Sequence, residues 1–164
     1  MNKILVTFST DEDVFHFGNI IDGFMVSFSL SEAICEGWFA LPRRFPGLSL
    51  DSFMLMPDHI HGLISLRKES FPHLSNEEER ELMLRRIIYF YKELSTNLVH
   101  REGFPNFSWK RGYYRYLISP EKSSLLLREY IISNTRGWNS GRSGFQSSFF
   151  RVRSNEPFEL ILDF

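Results

Sequence analysis

The sequence predicts an α+β fold, with helices packed on a mostly antiparallel sheet. Two observations carry this. Short β-branched and aromatic runs recur, and one is broken by Asp22-Gly23, a dipeptide suited to a tight hairpin turn. Between them, longer segments place apolar residues at helical spacing. The resulting order is strands, helix, strand pair, long helix, strand, helix.

The elements follow in turn. "KILVTFS", residues 3–9, has strand composition. "GNIIDGFMVSFS", 18–29, is two short apolar runs about the Asp-Gly turn. "SLSEAICEGWFALPRRF" reads as a helix with Ser29 or Ser31 as its cap. Ala33, Ile34, Trp38 and Leu41 form its apolar stripe, and Pro42 and Pro46 are expected to end it. "LSLDSFMLM", 48–56, and "HIHGLISL", 59–66, are strands joined by a turn at Pro57-Asp58. Ser75-Asn76-Glu77-Glu78 fits a capping box that opens a long helix to about Val99. Leu84, Ile87, Ile88, Tyr91, Leu94 and Leu98 are its buried face. "SWKRGYYRYLIS", 108–119, is aromatic and basic, with strand character at its end. Ser119-Pro120 then opens a last helix, 120–136, with Gly137 as its stop.

A chain of 164 residues with 43% apolar content suits one domain with a real core. We set that domain at 1–150, with 151–164 as a C-terminal tail. No segment reaches the ~18 apolar residues a membrane span needs. "MNKILVTFSTDED" lacks the apolar core of a signal peptide. Cys35 is the single cysteine, so no internal disulfide can form, and a cytoplasmic location is expected. The formal net charge of −1 hides an asymmetry. Residues 1–79 carry 5 Lys/Arg and 12 Asp/Glu, a net of −7, whereas residues 80–153 carry 14 and 5, a net of +9. The basic half suits an anionic partner or, equally well, an unevenly charged solvated surface.

The chemistry centres on "HIH". Side chains at i and i+2 of a strand share a face, so His59 and His61 point together while Ile60, Ile64 and Leu66 point into the core. Two such imidazoles can share a metal ion or can be separate hydrogen-bonded histidines. In the last predicted helix Tyr130 and Asn134 are four residues apart and share a face. A phenol can act as a nucleophile and an amide oxygen can ligate a hard cation. Between them, Trp109, Tyr113, Tyr114 and Tyr116 interleave with Lys110, Arg111 and Arg115. That pattern suits single-stranded nucleic acid, where aromatics stack on bases and cations follow phosphates. A core strand with a basic edge would look the same.

In context these pieces resemble a family. "DSFMLMPDHIHGLIS" is similar to the His-hydrophobe-His motif of single-tyrosine HUH transposases, specifically the REP-associated tyrosine transposase branch. "FSWKRGYYRYLISPEKSSLLLREYIISNTRGW" resembles the second half of that signature through Trp109, Arg111, Tyr113, Tyr114, Tyr130, Ile131, Asn134 and Trp138. The resemblance covers roughly residues 3–139. It implies a ferredoxin-like antiparallel sheet with helices on its face, the HUH endonuclease fold. It implies His59, His61 and Asn134 as metal ligands, Mg²⁺ or Mn²⁺ as the ion, and Tyr130 as the nucleophile. The implied partner is single-stranded or hairpin DNA, contacted by Trp109, Lys110, Arg111, Tyr114 and Arg115. The implied activity is nicking and rejoining of DNA through a 5′-phosphotyrosine, by a monomer or homodimer. Lys110, Arg115, Tyr116 and Thr135 depart from the family pattern. Two other readings fit these residues: a domesticated protein that binds structured DNA or RNA without cutting it, and a metal-dependent hydrolase that uses no covalent step.

Overall fold

The computed structural model describes residues 3–11, 16–67, 70, 71 and 76–118, and the backbone of Glu159–Ile161. Their elements, in chain order, are β1 (Lys3–Ser9), β2 (Gly18–Ile21), β3 (Phe24–Ser27), α1 (Leu30–Arg44), β4 (Leu48–Leu55), β5 (His59–Leu66), α2 (Glu77–Arg101), β6 (Tyr113–Ile118) and β7 (Glu159–Ile161). Five strands form one sheet in the order β4-β5-β1-β6-β7, antiparallel throughout. β2 and β3 form a separate hairpin. The predicted α+β class and antiparallel sheet are what the structure shows. No described helix is long and apolar enough to cross a membrane.

The hairpin turn works as its dipeptide requires. Asp22 and Gly23 both have positive φ, 51° and 80°, the left-handed pair of a tight primed turn. α1 starts after the expected Ser29, and its ends differ in detail from the sequence pattern. Ser29 is the N-cap, but its backbone is already helical and its hydroxyl makes no capping bond. Ser31 lies inside the helix and donates its hydroxyl to the Phe17 carbonyl at 2.6 Å. Pro42 does not end the helix. Its missing N–H removes one bond in the last turn, and the Phe45 N–H closes that turn on the Leu41 carbonyl at 2.9 Å.

A capping box opens α2 one residue later than the sequence pattern suggests. Asn76 Oδ1 accepts from the Glu79 N–H at 2.8 Å, and the Glu79 carboxylate accepts from the Asn76 N–H at 3.3 Å. Asn76 reaches the N3 amide as well as a serine would. The tail supplies an edge strand that composition does not reveal: β7 pairs with β6, Tyr114 opposite Leu160. The predicted helix 120–136 lies outside the described residues.

Both helices pack on one face of the sheet. Ile4, Val6 and Phe8 of β1 and Ile60 and Ile64 of β5 meet Ile34, Trp38 and Leu41 of α1 and Leu84, Ile87, Ile88 and Tyr91 of α2. The closest approach is at Gly62, where the Trp38 ring lies against β5; a Cβ added there would sit 2.2 Å from the ring. The Trp38 indole N–H is buried with no hydrogen-bond partner among the described residues. Leaving it so costs about 1–3 kcal/mol, while burying a tryptophan's 150–250 Å² contributes roughly 4–6 kcal/mol. Packing therefore decides where the ring sits. The opposite face of the sheet carries a smaller buried cluster of Leu5, Leu63, Tyr116 and Ile118.

Candidate functional site

The candidate site lies on that second face. Strand alternation sends Ile60, Gly62 and Ile64 toward the helices and His59, His61 and Leu63 the other way. Both histidines are fully buried. The β1–β5 register sets Thr7 opposite His61, and the β1–β6 register sets Thr7 opposite Tyr114. Thr7, His61 and Tyr114 therefore form a cross-strand row.

The imidazoles are fixed from their outer nitrogens. His59 Nδ1 is 2.5 Å from an Asp58 carboxylate oxygen. A carboxylate accepts, so His59 donates its Nδ1 proton to Asp58. His61 Nδ1 is 2.7 Å from the Thr7 hydroxyl, which is itself buried. The two Nε2 atoms converge to 3.2 Å, with the rings almost perpendicular at 83°. Burial, reinforced by the charge of His59, holds the His61 pKa well below the ordinary histidine value and keeps the ring neutral.

This geometry suits a cation. Two nitrogens each about 2.0–2.1 Å from one ion are roughly 2.9–3.4 Å apart when they are neighbouring ligands. The 3.2 Å separation falls in that window. A carboxylate holding the far nitrogen of a ligating histidine is the usual outer support of such a site. Among the described residues, no group of three or more His, Cys, Asp or Glu side chains converges as a metal site. The pair thus offers two ligands. Asn134, expected as the third, and Tyr130, expected as the nucleophile, lie outside the described residues.

The expected nucleic-acid contacts divide. Lys110 and Arg111 are exposed. They sit at the His59 end of the sheet, because the Lys110 N–H donates to the Ser9 carbonyl at 2.9 Å and Ser9 pairs with His59. Tyr114 is on the histidine face. Trp109 and Arg115, both half-buried, also make internal contacts. The Trp109 ring packs among Phe8, Phe17, Tyr91 and Phe107 and donates to the Ser95 hydroxyl at 3.0 Å. Arg115 points to the helical side and pairs with Glu81 and Glu77. Tyr116 is buried with Leu5 and Leu63.

Three contributors are not evident from sequence pattern. Asp58 reads only as a turn residue, although its place directly before His59 is a signal. Thr7 reaches His61 through strand register, which spacing does not reveal. Lys92 reads as a surface cation. It is in fact buried and donates to the carbonyls of Lys110 and Gly112 at 3.0 and 2.6 Å, pinning the loop that presents Lys110 and Arg111.

Comparison with known structures finds a similar fold. A REP-associated tyrosine transposase bound to a REP hairpin superposes with a TM-score of 0.53 over 79% of this chain, at 13% identity. The chain shares that protein's fold. It spans 64% of that structure's length. A protein of undescribed function from Haemophilus influenzae is 29% identical over 136 residues, covering 74% of this chain and 73% of the relative. No family model matches the chain.

Proposed function

We propose that the protein is a metal-dependent strand transferase of the HUH type that nicks and rejoins single-stranded DNA, with hairpin DNA as its substrate. The observation that carries the reading is the convergence of His59 and His61 Nε2 at 3.2 Å, backed by Asp58 and Thr7. The shared fold with a tyrosine transposase supports it, and the hairpin carried by that structure suggests the substrate.

In this reading His59, His61 and Asn134 hold Mg²⁺ or Mn²⁺. When bound, the ion supplies Lewis-acid charge for a phosphodiester under attack. The chain's own groups do the rest. Asp58 and Thr7 hold the two rings by their Nδ1 atoms with both Nε2 atoms turned to one point, and burial disfavours charge on His61. Lys110 and Arg111 draw the backbone to the His59 end of the sheet. Tyr130 Oη attacks phosphorus and loses its proton to solvent. The Tyr–O–P bond forms as the P–O3′ bond breaks, and the leaving oxygen takes up a proton as a 3′-OH. A later 3′-OH reverses the exchange and joins a new strand. One phosphodiester is exchanged for another, so no nucleotide triphosphate is consumed.

The test is incubation with hairpin-bearing single-stranded DNA and Mn²⁺. A covalent protein–DNA adduct should form and should be absent in Tyr130→Phe. Tight DNA binding with no adduct in the wild type would instead establish a non-cleaving binder.

A further inference from the structure

A second feature lies on the far side of the sheet from the histidines. The C-terminal end of α1 and the middle of α2 line an open cleft of about 690 Å³. Phe45 and Phe90 line it, with ring centroids 5.6 Å apart and the rings edge to face. The Arg44 guanidinium lies over both rings, 5.6 and 5.9 Å from their centroids. Arg86, Tyr89, Phe90 and Glu93 follow one another at helical spacing and so share one face of α2. Tyr89 is 65% exposed.

The charge in this cleft is not internally balanced. Arg85 is occupied by Glu81 at 3.3 Å. Neither Arg44 nor Arg86 has a carboxylate partner among the described residues. Glu93 is the one acid in the lining, against three arginines. An arginine held over aromatic rings keeps its edge donors free for an anion while its face is stacked. An exposed tyrosine face beside it is a platform for a planar group.

We propose that this cleft is a second contact site for single-stranded nucleic acid, separate from the histidine site. Phosphates meet Arg44 and Arg86, and a base stacks on Tyr89. A polyanion without planar groups would use the arginines but leave the aromatic surface idle, so the pairing of both features selects nucleic acid over an acidic peptide. Because the sheet separates this cleft from the imidazoles, it anchors a part of the strand that does not react. The inference shares with the proposed function only the class of partner.

The test is fluorescence anisotropy with labelled oligothymidylate on the full chain, with salt varied between about 50 and 200 mM. The Arg44→Ala/Arg86→Ala double variant should bind at least tenfold more weakly. Its salt slope should be shallower by about 0.7 for each phosphate no longer neutralised. Tyr89→Ala should lose roughly five- to a hundredfold in affinity. These side chains are exposed, so thermal melts should change little beyond the small loss of Arg44's stacking, and Arg86→Gln, which leaves that stack intact, gives a milder second probe. A heptaglutamate peptide should compete poorly at equal ionic strength. Unchanged binding and salt slope in the double variant, with a wild type that binds, overturns this site alone. So does equal competition by the peptide. A wild type that binds no oligonucleotide overturns both this site and the proposed function.

Discussion

The Trp38 ring rests directly on the backbone of Gly62, the residue that follows the second histidine, and leaves no space for a side chain there. The contact ties α1 to the strand that carries the site. His61 and Leu63, the neighbours of Gly62, point to the opposite face, so a shift of the strand at Gly62 moves the imidazoles as well.

Gly62→Ala tests this coupling. The new methyl must displace the indole or the strand, and overpacking of this kind costs about 1–3 kcal/mol. Urea denaturation should show a loss in that range. Adding Trp38→Leu should recover part of it, so the double variant is more stable than the sum of the two single losses predicts.

Lys92→Met removes the ammonium that holds the Lys110 and Gly112 carbonyls. Methionine fills the space but donates nothing, so both carbonyls lose the ammonium's hydrogen bonds, at a total of about 1–3 kcal/mol. Faster amide exchange should appear in residues 109–113. Affinity for oligonucleotides should fall with it, because Lys110 and Arg111 are no longer fixed in position.

Asp58→Asn keeps the shape at His59 but replaces the carboxylate that orients its ring. Loss of such an outer partner weakens metal affinity by roughly 10–100-fold. A manganese titration of the variant should show that decrease with little change in far-UV circular dichroism.

Cys35 gives a pH test away from the site. Burial, and secondarily the charge of Glu32, raises its thiol pKa above the ordinary value of 9.0. The folded chain therefore retains a proton that the unfolded chain releases. The thiol's contribution to stability is fully present below the unfolded pKa, at the ordinary value of 9.0, and is lost as pH rises through the folded value. Iodoacetamide labelling should show a midpoint above 9.0 in the folded protein and a lower one in urea.

Much of the architecture is legible in the sequence because it rests on local rules. Alternation in "HIHGLIS" places the two histidines on one face, and Asp22-Gly23 announces its turn. Capping and termination are harder to read. Asn76 competes with Ser75 for one role, and a proline in a last helical turn removes only one bond, so Pro42 does not stop α1. The least legible features depend on register and on partners distant in sequence. Thr7 reaches His61 across 54 positions. Arg115 is drawn to Glu81 on α2, and Trp109 completes an aromatic core assembled from three other segments. Composition records residue type and not direction, so these internal contacts are not visible in it.

The most direct test of the account is electron paramagnetic resonance titration of Mn²⁺ into the wild type, His61→Ala and Tyr130→Phe. The two converging Nε2 atoms predict one tightly bound ion per chain in the wild type, loss of that ion in His61→Ala, and retention in Tyr130→Phe. Equal binding in the wild type and His61→Ala, or no tight binding in the wild type, would contradict it.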